Sequence, residues 1–180
     1  MAGPQQPSLG TWAVLGLLCE RDTHGWALVR AMAPQGEIGR VWSIRRALVY
    51  RTVGLAIDDG LVERAGVEQG ARGSMRTLLR ATPTGRRAFE RWLAEPVAHV
   101  RDLRSELLLK LLFAQRSGRD PTPVLQAQRA ILTETIKGLQ SRPIGEEPPE
   151  VTLRSFRVET ARAGQRFVDQ ELARLASGAK

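Results

Sequence analysis

Two β-prone runs, Leu61 to Val67 and Met75 to Ala81, are joined by Glu68-Gln69-Gly70-Ala71-Arg72-Gly73-Ser74. A glycine-punctuated loop between two short strand-forming runs reads as an antiparallel hairpin. A lone hairpin is marginal in water, so it must lie against other elements. The sequence supplies helices on both sides. Before it, Ser43 reads as the N-cap of a helix running to about Asp59, with Gly60 as its stop. After it, Thr82-Pro83 opens another: Thr caps, and Pro takes the first helical position, where its missing N–H costs nothing.

Two more helices precede this group. Ser8 can cap a helix through about Glu20 that is apolar on most of its surface and must therefore be buried. Arg21 to Gly25 reads as a turn. A second helix follows, with Ala27, Leu28, Ala31 and Met32 at helical spacing, ended by Pro34 and Gly36. The helix opened by Thr82 carries Ala88, Phe89, Trp92 and Leu93 and stops near Pro96.

The rest of the chain reads as helical. Residues 101–116 place large apolar side chains all round one cylinder, which needs cover on several sides. Residues 124–140 are amphipathic, 143–149 form a proline-acidic linker, and 151–176 align Leu153, Phe156, Ala163, Phe167, Leu172 and Leu175. Apolar faces of that extent mark an interface. The expected fold class is mainly α with a small two-stranded wing. A loose tail spans 1–7, a winged helix-turn-helix domain 8–96, and a helical dimerisation domain 97–180. No internal repeat is present.

Charge narrows the function. The chain carries +8, and residues 40–91 hold eleven Arg against five acids, so +6 of the total lies in that window. Clustered arginine suits bidentate contacts to phosphates and guanine edges. In the winged plan the third helix enters the major groove. Its candidate DNA contacts are Ser43, Arg45, Arg46, Tyr50 and Arg51, with Arg72 and Arg76 in the wing. At 3.6 residues per turn, Ile44, Leu48, Thr52 and Leu55 share one face, and Arg46, Tyr50 and Val53 lie roughly opposite.

Other classes find little support. No paired carboxylates, phosphate-cradling glycine loop or metal-ligand spacing is present, so no catalysis, cofactor or metal is expected. Glu106 and Lys110 read as an ordinary i, i+4 helix pair. The single Cys19 excludes an intramolecular disulfide and reads as a core residue. The apolar run Trp12 to Cys19 is too short to span a bilayer and lacks a basic leader. A cytoplasmic setting without membrane attachment is expected.

In their order, several segments resemble PadR-type transcriptional regulators. They are Leu15-Gly16-Leu17-Leu18, His24-Gly25-Trp26-Ala27-Leu28, Val49-Tyr50-Arg51-Thr52-Val53, Asp59-Gly60-Leu61-Val62, Arg72-Gly73-Ser74-Met75-Arg76 and Thr82-Pro83-Thr84-Gly85-Arg86. Trp92-Leu93 continues the set, and residues 101–115 are similar to the start of that family's longer C-terminal domain. The resemblance implies a homodimer, usually repressing, that binds an inverted-repeat operator and is often released by a small effector. By position, Tyr50 and Arg51 match the family's Tyr-Arg pair, and Arg72 and Arg76 its basic wing. Gly25-Trp26 departs from the usual Gly-Tyr, and Gly73-Ser74 from Gly-Pro. Trp12, Trp92 and Phe113 are the expected lining of a pocket for a small aromatic effector. Two other readings stay open: a MarR-like winged-helix regulator, and a helical module whose winged domain contacts protein.

Overall fold

The computed structural model describes residues 7–69, 75–141 and 148–178. Arg72, the tail at 1–6 and most of the 143–149 stretch lie outside the described residues. The chain divides into two compact units between Leu93 and Ala94.

The first unit opens with helix α1, Leu9–Glu20. Ser8 caps it: its Oγ accepts from the Thr11 N–H at 3.2 Å. Ala13, Val14, Leu15 and Leu18 are fully buried, as an all-round apolar helix requires. Cys19 is only half-buried. The segment expected as a turn contains a two-residue strand, β1 (Thr23–His24). It pairs antiparallel with β3 (Met75–Ala81), which also pairs with β2 (Val62–Gln69), so the sheet order is β1-β3-β2. Two residues carry no alternation, so this third strand was invisible to pattern reading.

Helix α2, Gly25–Ala31, is capped by His24, whose Nδ1 accepts from the Ala27 N–H at 3.2 Å. The chain then folds back on the end of α2, with Ile38 N–H donating to the Ala31 carbonyl and Ile44 N–H to that of Met32. Met32 and Ile38 are fully buried beneath this loop. The tie at Ile44 delays helix α3 to Arg46–Asp58, and its N-cap is Arg45, without a side-chain cap bond. Ser43 is therefore exposed and does not cap, contrary to the expectation from sequence.

Gly60 stops α3 as expected, with φ +68°. The Leu61 N–H donates to the Ala56 carbonyl and the Gly60 N–H to that of Ile57, a Schellman closure. Helix α4, Pro83–Ala94, starts where Thr82 predicts. The Thr82 hydroxyl accepts from the Gly85 N–H at 3.0 Å and donates to the Gly60 carbonyl at 2.8 Å. One threonine thus caps α4 and fastens it to the end of α3.

The second unit departs further from expectation. The single helix read over 101–116 is a 3₁₀ turn (Val100–Asp102), a π turn (Leu103–Leu107) and helix α5 (Leu108–Arg116). Leu103, Leu107 and Leu111 all belong to one apolar core. Steps of four residues drift off one face of a 3.6-residue helix, and a wider turn absorbs that drift. Helices α6 (Thr122–Ser141) and α7 (Pro148–Gly178) pack along each other. Val158, Ala161 and Val168 are buried in α7, and Leu172 and Leu175 join the same core. Leu153 and Phe156, expected on that stripe, point outward, Phe156 being 68% exposed.

Lys110 is also not where a surface pair would put it. Its side chain is buried, its Nζ donates to the Glu95 carbonyl at 2.6 Å, and Glu106 Oε1 lies 3.2 Å away. Burial pushes the ammonium below the ordinary lysine range, against the pull of Glu106. Gln128, equally buried, brackets Val97, accepting from its N–H at 2.7 Å and donating to its carbonyl at 3.1 Å.

Candidate nucleic-acid interface

The buried edge of α3 is Val49, Thr52, Val53 and Ala56. A Cβ on Gly10 of α1 would stand 3.2 Å from the Thr52 hydroxyl, so the two helices approach closely here. That approach selects the row with small and β-branched side chains. Leu48 and Leu55, which share a face with Thr52 by helical period, are nevertheless 47% and 51% exposed. Ala47, Arg51 and Asp58 consequently point away from the core, with Leu48 and Leu55 on one flank and Arg46 and Tyr50 on the other.

Arg46 and Tyr50 are neighbours one turn apart, joined by Trp26, which the sequence marks as a departure but does not place beside them. The Arg46 guanidinium stands 5.3 Å from the centre of the Trp26 ring and 5.7 Å from that of Tyr50. Trp26 is 46% exposed at the start of α2. Its indole offers the guanidinium a flat face. Holding a guanidinium over rings fixes its plane and leaves its N–H edges free to donate. The backbone of Gly25 makes room: a Cβ there would lie 2.8 Å from Tyr50 Cε1.

Arg45 sits just ahead of the helix, exposed, its carbonyl accepting from Leu48 N–H at 2.9 Å. Arg45, Arg46 and Arg51 form no ion pair among the described residues, although Arg80 does, with Asp22 at 2.8 Å. That hydrogen bond holds the Asp22 carboxyl below its ordinary range and raises Arg80. Arg76 turns toward β1, its Nη1 3.2 Å from His24 Nε2. The structure thus groups Arg46 with Tyr50 and Arg76 with His24. Ser43 and Arg45 stand in the lead-in to α3. His24 lies in the stretch read from sequence as a turn, and nothing in the sequence pairs it with Arg76 or Trp26 with Arg46.

Of the residues expected to line an effector pocket, two are in contact within the first unit. Trp12 and Trp92 stack on each other in the first unit, 5.3 Å apart and 12° from parallel, with Phe89 5.6 Å beyond Trp92. Phe113 belongs to the second unit, where it is buried. Among the described residues no group of His, Cys, Asp and Glu could hold a metal ion, and no helix is long and apolar enough to cross a membrane.

No protein-family model matches the chain. It is 29% identical over 96 residues to a probable transcriptional regulator, Rv1176c, of Mycobacterium tuberculosis. That alignment takes in 53% of this chain and 49% of the relative, so the chain spans about half the length of the curated protein it matches. Among solved structures it is similar to Bacillus subtilis PadR in complex with operator DNA, at 17% identity and TM-score 0.45, covering 90% of this chain and 97% of that one. It is also similar to the PadR-like transcriptional regulator BC1756 of Bacillus cereus, at 17% identity and TM-score 0.42, covering 97% and 99%.

Proposed function

We propose that this chain is a PadR-type transcriptional regulator, not an enzyme, that binds duplex DNA with the outward face of α3. One observation carries the reading: exposed Arg46, Tyr50 and Arg51 stand on one helix, with no carboxylate paired to either guanidinium among the described residues. Phosphates and guanine edges satisfy such charges directly. Ser43 and Arg45 would meet the backbone at the lead-in, and Arg72 and Arg76 the flanking phosphates from the wing.

The operator would be an inverted repeat, bound by a homodimer whose two α3 helices stand about one helical turn apart, roughly 34–36 Å. The outward Leu153 and Phe156 of α7 are what a second copy would cover. A repressing role and release by a planar aromatic effector follow the family resemblance. Such an effector would have to replace one ring of the Trp12–Trp92 stack, and quenching of tryptophan emission together with loss of DNA would report it.

Selection of bound sequences from random duplex DNA, with affinity measured across salt, tests the reading. Enriched sequences should hold two inverted half-sites, and log affinity should fall linearly with log salt. No enrichment together with salt-independent binding would overturn it. For the dimer, sedimentation of Phe156→Glu should show monomers with unchanged helix content. A variant that remains dimeric removes that face from the interface.

A further inference from the structure

His24 is in a hydrogen-bonding conflict that no other described residue resolves. Its Nδ1 accepts the Ala27 N–H at 3.2 Å, which requires a bare lone pair on that nitrogen. In the neutral ring the proton must then sit on Nε2. Nε2 faces Arg76 Nη1 at 3.2 Å, and a guanidinium only donates. Two N–H donors therefore converge at the junction of β1 and β3, with no acceptor between them among the described residues. The opposite tautomer would satisfy Arg76 and break the cap, so neither arrangement satisfies every group.

An anionic oxygen placed beside both donors would satisfy all of them at once. Other charged groups nearby do not take that place. Glu68 is the register partner of Arg76 across β2 and β3, yet no ion pair joins them. Asp22 is committed to Arg80. His24 itself lies one residue before Gly25, whose backbone supports Tyr50, and two before Trp26 under Arg46. The junction thus lies between the α3 surface and the wing strand, where the flanking phosphates of a bound duplex would run.

We infer that His24 and Arg76 together form a phosphodiester-binding clamp, in which His24 Nε2–H and the Arg76 guanidinium donate to oxygens of one DNA phosphate. His24 is then a DNA-contacting residue as well as a helix cap. The inference rests on the duplex binding proposed above.

The two jobs of His24 can be separated. Asparagine caps helices well but has no group at the Nε2 position. His24→Asn should leave the thermal midpoint unchanged while weakening all duplexes alike by about two- to tenfold, as for one net hydrogen bond. It should leave the salt slope unchanged, because a neutral donor releases no counterion. Arg76→Gln should lower that slope by about one. In the Arg76→Gln background the His24→Asn loss should shrink, because the two share one phosphate. Independently of any variant, ring-nitrogen NMR of the wild-type protein should find the proton on Nε2 and a shift of that resonance when duplex is added. Wild-type affinity in His24→Asn, or an unmoved Nε2 resonance at saturation, would overturn the clamp while wild-type DNA binding stands. If the wild-type protein binds no duplex, the functional reading itself fails.

Discussion

The two units of this chain handle polar groups in opposite ways. The first buries no charged side chain among the described residues, only Thr11 and Thr52 among polar ones, and stacks its exposed Arg46 on Trp26 and Tyr50. The second encloses a lysine and a glutamine, and uses both to hold backbone at Glu95 and Val97. It also leaves Phe156 outside. A unit that presents charge to a ligand needs it solvated and aimed. A unit that fixes the path of its own chain uses buried polar groups, each of which must be fully bonded. Apolar surface left out is then the face proposed above for a second copy.

The largest effect should come from breaking the buried set. Lys110→Ala takes the donor from the Glu95 carbonyl and leaves a cavity, and should cost about 2–5 kcal/mol. All four tryptophans, 12, 26, 42 and 92, lie in the first unit, so their fluorescence reports that unit while circular dichroism reports both. In urea the dichroism should lose structure ahead of the fluorescence. Coincident shifts of both probes would break the comparison. The pH dependence has a definite sign: the folded Lys110 holds its proton less tightly than the unfolded one. Its burial therefore costs stability at neutral pH, and that cost declines as pH rises toward the ordinary lysine value of 10.5. Lys110→Met should abolish that rise, measured by denaturation at successive pH values.

On the presenting side, effects should fall on binding and spare the fold. Arg46→Ala should weaken specific duplex binding by about 1–3 kcal/mol if it reads a base, with relaxed discrimination at one position. Its stability cost should stay within about 1 kcal/mol, the scale of an exposed cation–π contact. Equal weakening of every sequence with a lower salt slope would make Arg46 a phosphate anchor instead. Smaller again, Tyr50→Phe should weaken specific binding by roughly 1 kcal/mol, the worth of one net hydrogen bond. Gly25→Ala should mimic it by displacing the Tyr50 ring, which a duplex titration of both variants would show.

The smallest effect belongs to the exposed Asp22–Arg80 pair. Arg80 lowers the Asp22 carboxyl, so its contribution is present above the ordinary value of 3.8 and is lost as pH falls below it. Asp22→Asn should remove that small contribution above the ordinary carboxylate value and so flatten the acid limb of the stability profile. A clear loss at neutral pH would mean that the pair holds β1 to β3, with consequences for His24.

Sequence-local chemistry was legible wherever a residue acts on its own neighbours. Ser8, Gly60 and Thr82 each do what their side chain or its absence dictates within a few residues. So the order of helices, the hairpin and the mainly α class with a wing follow from the chain read alone, as does the concentration of arginine around α3. Tertiary structure decided whatever depended on distant partners. The tie of Ile44 to Met32 moved the start of α3 past Ser43, and the close approach of α1 chose Val49 and Val53 over Leu48 and Leu55. Pairing with β3 made a strand of Thr23–His24 and brought Arg76 to His24. The fold likewise enclosed Lys110, which pattern alone assigns to the surface. Helical period tells which residues share a face; only the packed neighbours determine which face is turned in.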